Sequence, residues 1–180
     1  EGNKFLSDSL RLFQFNHNFM INPRLNILNE KNSHSLSLMV MYQGVKDENV
    51  KSKYRVDGNT FNINLNHNYL INASQWNFNS GLNWLNISNG ILSMISFGPS
   101  IGVSKSFKEN KINIGYSGSY VHNIQNSLFA GNTITNALNG SYSVDNHHSL
   151  RLNFYHMLNN IPNLAAQTEL RTDLSYTYSF

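Results

Sequence analysis

The sequence QTELRTDLSYTYSF at positions 167–180 alternates between apolar and polar residues and stops on an aromatic side chain. Alternation with a period of two is the pattern of a β-strand that has one apolar and one polar face. The apolar face would carry Leu170, Leu174, Tyr176, Tyr178 and Phe180. The segment therefore predicts a strand that lies between an apolar and an aqueous environment.

The same alternation recurs along the rest of the chain. Abundant asparagine, 31 residues here, can accompany a disordered low-complexity chain, but 12% aromatic residues and sustained alternation favour a folded all-β protein. Pro23 and Pro99 fall inside strands on the apolar side, where we expect bulges because proline cannot donate to the ladder. Nine segments are predicted as strands, at residues 13–27, 36–42, 61–71, 76–84, 95–107, 112–124, 134–144, 148–158 and 167–180.

The composition excludes several classes of protein. Cysteine is absent, which removes disulfides and thiolate metal sites. The net charge of +3 is not gathered into a basic patch, so nucleic acid is not an expected partner. No run of 18 apolar residues predicts a transmembrane helix, but a transmembrane β-strand needs only about 9–11 alternating residues. The fold predicted for residues 1–180 is an antiparallel up-and-down transmembrane β-barrel.

The outward aromatic residues support this fold class. Amphipathic rings prefer the boundary between the lipid headgroups and the hydrocarbon, which the ends of transmembrane strands reach. A soluble sandwich also uses such rings in its core, but it does not need every strand to keep the same polar opposite face. The predicted aromatic girdle consists of Trp76, Trp84, Tyr120, Tyr142, Tyr176, Tyr178 and Phe180.

The connections give an expected orientation. Short polar turns are predicted at 29–32, 72–75, 108–111 and 145–148, and mostly longer links at 44–59, 86–90, 125–133 and 159–167. Outer-membrane barrels have short periplasmic turns and longer extracellular loops, so the C-terminus is expected in the periplasm. Bacterial barrels normally have an even number of strands. Nine strands thus favour the C-terminal part of a larger barrel, with a complete ten-stranded barrel as the alternative.

No catalytic or metal site stands out. His17, His67, His122 and His156 fall on the lipid-facing side, where they suit an interface or a contact with a partner protein better than catalysis. His147 and His148 fall in a short turn, where solvated turn residues are expected. The seven histidines include no HxH or HxxxH spacing, and the acidic residues near position 47 lack the ligand spacing of a calcium loop. No enzyme and no cofactor are expected.

The polar face is expected to line a wet lumen. It is mainly Asn, Ser, Thr and Gly, and small residues between positions 95 and 107 would leave room for an inserted element. Charges of both signs fall on the last two strands, and they favour a bracing network over the single-sign ring of a selective pore. The members of this predicted network are Arg151, Glu169, Arg171 and Asp173.

The C-terminal residues carry a resemblance. Leu174, Tyr176, Tyr178 and Phe180 resemble the β-signal that the barrel-assembly machinery reads in outer-membrane proteins, although the usual upstream glycine is absent. The segments FGPSIGVSKSF (97–107), KINIGYSGSY (111–120) and LNGSYSVDNHHSLRL (138–152) are similar to C-terminal barrels of Bacteroidota surface proteins. The resemblance covers roughly the last hundred residues and implies a barrel that anchors an envelope assembly for secretion, gliding, uptake or barrel insertion.

The functional expectation follows from these features together. The chain is expected to be a non-enzymatic anchor or scaffold subunit of a larger envelope complex in a Gram-negative outer membrane. The alternative is a passive porin-like channel for small solutes. The expected partners are membrane lipids and lipopolysaccharide, the barrel-assembly machinery during biogenesis, and other envelope proteins.

Overall fold

A computed structural model describes residues 14–47, 57–107, 111–145 and 147–179, and every regular element in these ranges is a β-strand. Alternating apolar residues with β-branched and aromatic side chains favour this extended backbone. The ten strands are β1 (Gln14–Ile21), β2 (Arg24–Leu28), β3 (Asn32–Asp47), β4 (Gly58–Ile71), β5 (Trp76–Ser88), β6 (Ser93–Phe107), β7 (Ile112–Gln125), β8 (Leu128–Ser143), β9 (His148–Asn160) and β10 (Gln167–Tyr178).

The strands form one antiparallel up-and-down sheet. From β3 to β10 each strand pairs with the next one in the sequence, and both β1 and β2 pair with β3. The sheet therefore has nine strand positions, in agreement with the nine predicted segments. It is open, because β10 at one edge and β1 with β2 at the other are not paired with each other.

Pro23 divides the first strand position into β1 and β2 without changing its register. Ile21 lies opposite Val40 and Arg24 opposite Ser37, which is the same register on both sides of the proline. The Pro23 carbonyl still accepts a hydrogen bond from the Leu38 amide at 3.1 Å. The bulge predicted here is wrong: the missing proline N–H interrupts the ladder, but no residue is added.

Pro99 also lies in a strand that keeps its register. It stands opposite Leu82 of β5, and on the other side the β6–β7 pairing has the same register at Phe97 and at Ser100. Gly98 and Pro99, which lie between these two residues, have no paired residue in that ladder. The bulge predicted at Pro99 is wrong as well, because the proline interrupts the pairing without lengthening β6.

The register shift of the sheet lies in β8. Gly131 is opposite Asn123, and Phe129 is opposite the next residue, Ile124, so that Ala130 has no partner. Gly131 has a φ of 127°, which an L side chain adopts only with strain. A single extra residue and a positive-φ glycine are the features of a β-bulge.

The predicted link at 125–133 is a tight hairpin. Strand β7 ends at Gln125 and β8 begins at Leu128, so only Asn126 and Ser127 lie between them. Their φ values of 50° and 65° are those of the two-residue turn whose twist matches that of the strands. The links β3–β4, β5–β6, β7–β8 and β9–β10 thus contain ten, four, two and six residues. The turns that alternate with these links contain three or four residues. The predicted contrast between long links and short turns holds only for the first and last links.

We expect the substitution Gly131→Ala to lower the free energy of unfolding by about 1–3 kcal/mol, because it forces an alanine into the positive-φ region. The new methyl group would also contact the carbonyl oxygen of Asn160. Urea titration gives the free energy of both proteins. Gly140→Ala is the matched control in the same strand, since a Cβ there has no atom within 4 Å. An equal loss in both variants would contradict a strained bulge.

Candidate functional site

One apolar face extends across all nine strand positions. Side chains directly opposite one another in an antiparallel pair lie on the same face of the sheet. Leu38, Leu65, Leu82 and Pro99 follow one another in this way from β3 to β6. The same registers place Tyr142, Leu150 and Tyr176 together at the other edge. The apolar alternation of the sequence therefore continues from strand to strand over most of the sheet.

The apolar face has no layer packed against it. No hydrophobic side chain is buried among the described residues, and Leu82 and Ile101, in the middle of β5 and β6, are 56% and 60% exposed. A sheet in a soluble domain buries its apolar face against a second sheet or against helices. Apolar surface this continuous marks a site of contact with a membrane or with another protein.

Aromatic side chains contact one another within this face. The Trp76 and Phe78 rings stack with their centroids 5.9 Å apart, and the Lys105 ammonium lies 4.7 Å from the centroid of the Trp76 ring. Phe61 meets Trp84 edge to face at 5.5 Å. An ammonium above an indole ring covers the apolar surface and keeps its charge near water.

The predicted girdle residues occupy different depths along the strands. Trp76 is the first residue of β5, and Tyr178 is the last of β10. Trp84 and Tyr120 lie further inside, since β5 continues to Ser88 and β7 to Gln125. Phe180 lies outside the described residues. Assignment of these rings to the two membrane interfaces remains a prediction.

The polar face pairs glycines with asparagines across the strands. Asn79 lies opposite Gly102, and Asn139 lies opposite Gly115. A Cβ at either glycine would collide with the amide of the asparagine opposite, so these amides lie over the glycines. The room for an inserted element, predicted from small residues on β6, is therefore filled at Gly102 by a neighbouring side chain.

Hydrogen bonds between side chains join neighbouring strands on the polar face. Ser96 Oγ donates to Asn123 Oδ1 at 2.6 Å, and Thr133 Oγ1 donates to Asn159 Oδ1 at 3.1 Å. Such bonds pair polar groups with each other and still leave them open to water. The polar face is therefore braced by hydrogen bonds that run from strand to strand.

The structure brings together two of the four residues of the predicted charge network. Arg171 Nη2 donates to Glu169 Oε1 at 3.2 Å along β10, with both side chains about half exposed or more. Asp173 lies opposite Asn153 and Arg151 opposite Ser175, and no ion pair joins Asp173 to Arg151. An exposed ion pair of this kind contributes about 0–1 kcal/mol.

The turn between β8 and β9 holds the end of β10. The backbone N–H groups of His147 and His148 both donate to Asp145 Oδ1 at 2.8 Å. His148 Nδ1 is hydrogen-bonded to the Tyr176 hydroxyl, and its ring lies 4.9 Å from that of Tyr178. These histidines, predicted as solvated turn residues, thus contact two tyrosines of the predicted assembly signal.

The electrostatics of Asp145 follow from the same geometry. The backbone N–H of His147 is the largest cause that holds the pKa of the Asp145 carboxyl below its usual value, and the N–H of His148 adds to it. Both hydrogen bonds favour the ionised carboxylate. Asp145 therefore stabilises the turn while it is charged.

The register places the four outward histidines on the apolar face, as predicted. His67 Nε2 lies 3.3 Å from Nδ1 of His34, a fifth histidine on this face. His34 also stacks on Tyr69 at 4.5 Å. A hollow lies beside the two imidazoles, lined by Leu25, Ile27, His34, Leu36 and His67. His34 precedes the apolar run of β3, so that the sequence analysis did not assign it to this face.

A second set of polar and small residues interrupts the apolar face around β8. Its centre is Asn136, whose Oδ1 accepts from the Tyr116 hydroxyl at 2.7 Å and whose Nδ2 lies 3.4 Å from Nδ1 of His156. These residues share rows of the sheet and form what we call the β8 patch: Gly118, His122, Asn132, Asn136, Gly140, His156 and Asn160. Asn136 occupies the apolar parity of the predicted strand 134–144 but was not predicted to interrupt this face. Asn132 and Asn160 fall in the predicted links 125–133 and 159–167 and were missed for that reason.

Comparisons with known proteins identify no relative. No family model, no curated protein and no solved structure matches the chain. Within the described ranges no helix has the length and apolarity to cross a membrane. The same ranges contain no group of three or more His, Asp or Glu side chains arranged to hold a metal ion.

We expect the stability contributed by Asp145 to depend on pH. A carboxyl whose pKa is lowered by folding stabilises the protein above its unfolded pKa, and this contribution is lost as the pH falls through the folded pKa. Asp145→Ala should therefore lower the free energy of unfolding at neutral pH, and the difference from the unmodified protein should shrink in acid. Asp145→Asn keeps an acceptor and should lose less at neutral pH. A difference for Asp145→Ala that does not change with pH would contradict this role.

Proposed function

We propose that the chain forms the wall of a transmembrane β-barrel in the outer membrane of a Gram-negative bacterium, where it acts as an anchor or scaffold subunit of an envelope complex. The carrying observation is the apolar face of a single sheet, which extends over all nine strand positions although the β8 patch interrupts it, with no buried hydrophobic side chain in the described ranges. Lipid covers such a face without requiring a second protein layer.

The lengths of the strands support this proposal. Strands β3 to β10 contain 12 to 16 residues each. A strand tilted by about 45° needs about 9–11 residues to cross the hydrocarbon layer. Each of these strands can span that layer and still extend beyond it at both ends.

The open edges of the sheet support a larger ring. Leu170 and Leu174 on β10 are 64% and 74% exposed, and the backbone of this strand has a neighbour on one side only. Unpaired backbone groups are costly in lipid, which is why barrels close. We infer that strands beyond the nine positions complete the wall.

A structural role is favoured by the chemistry of the polar face. Its described side chains are mostly amides and hydroxyls that bond to one another, together with the Glu169–Arg171 ion pair. Such a lining braces a wall and carries little net charge. A passive channel is the second candidate, because the same polar face, with few charges and both signs among them, would also line a water-filled path for small solutes.

The first experiment is expression with an outer-membrane export signal, followed by fractionation and alkaline washing. An integral barrel should stay in the washed membranes and show an electrophoretic mobility that changes on heating. Release by alkali would contradict the proposal. Conductance of the purified protein in planar bilayers then distinguishes the two candidates, since a scaffold with a filled lumen should conduct no ions.

We expect Leu82→Arg and Asn83→Arg to differ strongly. Leu82 is on the apolar face near the middle of β5, and an arginine facing lipid at mid-depth costs about 2–4 kcal/mol. The neighbouring Asn83 is on the polar face, where an arginine remains hydrated. The free energy of folding into lipid vesicles should therefore fall in the first variant and change little in the second. Equal losses would mean that the apolar face does not meet lipid.

A further inference from the structure

We propose that His34 and His67 form a binding site for a divalent transition-metal ion of the zinc class, completed by water. His34 Nδ1 lies 3.3 Å from His67 Nε2, and both side chains are half-buried. Neutral imidazole is the commonest protein ligand for such ions. The inference goes beyond the proposed function, since it concerns one pair of side chains and does not depend on what the sheet anchors.

The two imidazoles meet through their nitrogen atoms. Their ring centroids are 5.6 Å apart and their planes differ by 19°, so the shorter contact runs between the facing edges of two nearly parallel rings. If both facing nitrogens carried hydrogen, two N–H donors would point at each other with no acceptor between them. At least one of the two nitrogens therefore presents a lone pair, which is the form that binds a metal ion.

The separation of the two nitrogens suits two ligands of one ion. Zinc binds imidazole nitrogen at about 2.0–2.1 Å with tetrahedral angles, which places two such nitrogens about 3.3–3.4 Å apart. An ion between the rings would replace the proton that one ring contributes to the contact and would release that proton to solvent. The backbone already brings both side chains to the distance that such an ion requires.

The surroundings of the pair leave the other coordination positions to water. Four uncharged residues lie directly opposite the two histidines on the neighbouring strands: Ile27, Leu36, Tyr69 and Ser80. No third His, Asp or Glu side chain in the described part of the chain joins the pair to form a larger ligand set. The hollow beside the two rings offers space for water molecules on the ion.

The position of the pair along the strands gives a hydrated ion access to it. His34 is the third residue of β3, and Tyr69, opposite His34, is two residues from the end of β4. The last residue of β4 lies opposite Trp76, and the Lys105 ammonium lies over the Trp76 ring. Indole rings and long lysine side chains prefer the boundary between lipid and water. The pair therefore lies near the end of the strands that carries these two side chains.

The test is a calorimetric titration of the full chain, purified without a histidine tag, with Zn²⁺. We expect His34→Ala and His67→Ala each to raise the dissociation constant at least about tenfold, because the ion keeps only one of two protein ligands that act together. His122→Ala is the matched control, since the His122 ring is on the same face but lies against Phe97 and Phe129. X-ray absorption at the zinc edge of the unmodified protein should show two imidazole ligands.

Three results would overturn the metal site. Zinc affinity that is unchanged in His34→Ala and His67→Ala, or reduced equally in His122→Ala, would mean that the ion binds elsewhere. A zinc-edge spectrum of the unmodified protein with fewer than two imidazoles would contradict the pair without any variant. No zinc binding at all would leave the contact as a hydrogen bond between two rings. None of these results bears on the proposed function, which alkaline washing tests separately.

Discussion

The structure depends on one constraint, which is that a single antiparallel sheet must keep its backbone paired while one face remains largely apolar and uncovered by other parts of the described chain. The ladder between neighbouring strands meets the first requirement from β1 to β10. The second requirement can only be met outside the described sheet, because no hydrophobic side chain there is buried. Leu82 and Ile101 have no protein layer over them, so the described sheet has no hydrophobic core of its own.

The polar face covers its backbone and joins its strands with few charged side chains. Asparagines opposite glycines cover backbone that would otherwise be bare, as Asn79 does for Gly102. Each amide supplies both donors and an acceptor, so neighbouring strands can be joined without the desolvation cost of ions. The high asparagine content of the chain thus has a structural use in this sheet.

The sequence predicted the nine strand positions and their faces well, because alternation is a local property that the pleated sheet preserves. It failed at β8, where the bulge at Gly131 shifts the parity between Phe129 and Asn132 and makes a strand resemble a link. The pairing of His34 with His67 depends on register between strands, and alternation within one strand does not fix that. Asn136 was overlooked because one polar residue at an apolar position of a strand has no evident meaning within that strand. Its role depends on its neighbours on β7 and β9, which alternation does not reveal.

The direction of the two open edges has a geometric consequence. Every pair of neighbouring strands in the described sheet is antiparallel, so strand directions alternate, and the first and ninth positions run the same way. Joining β1 directly to β10 would create a seam of parallel hydrogen bonds, slanted and slightly weaker per residue than the rest of the wall. An entirely antiparallel ring requires an odd number of inserted strands. The two open edges are thus the places where this sheet can pair with another segment of polypeptide.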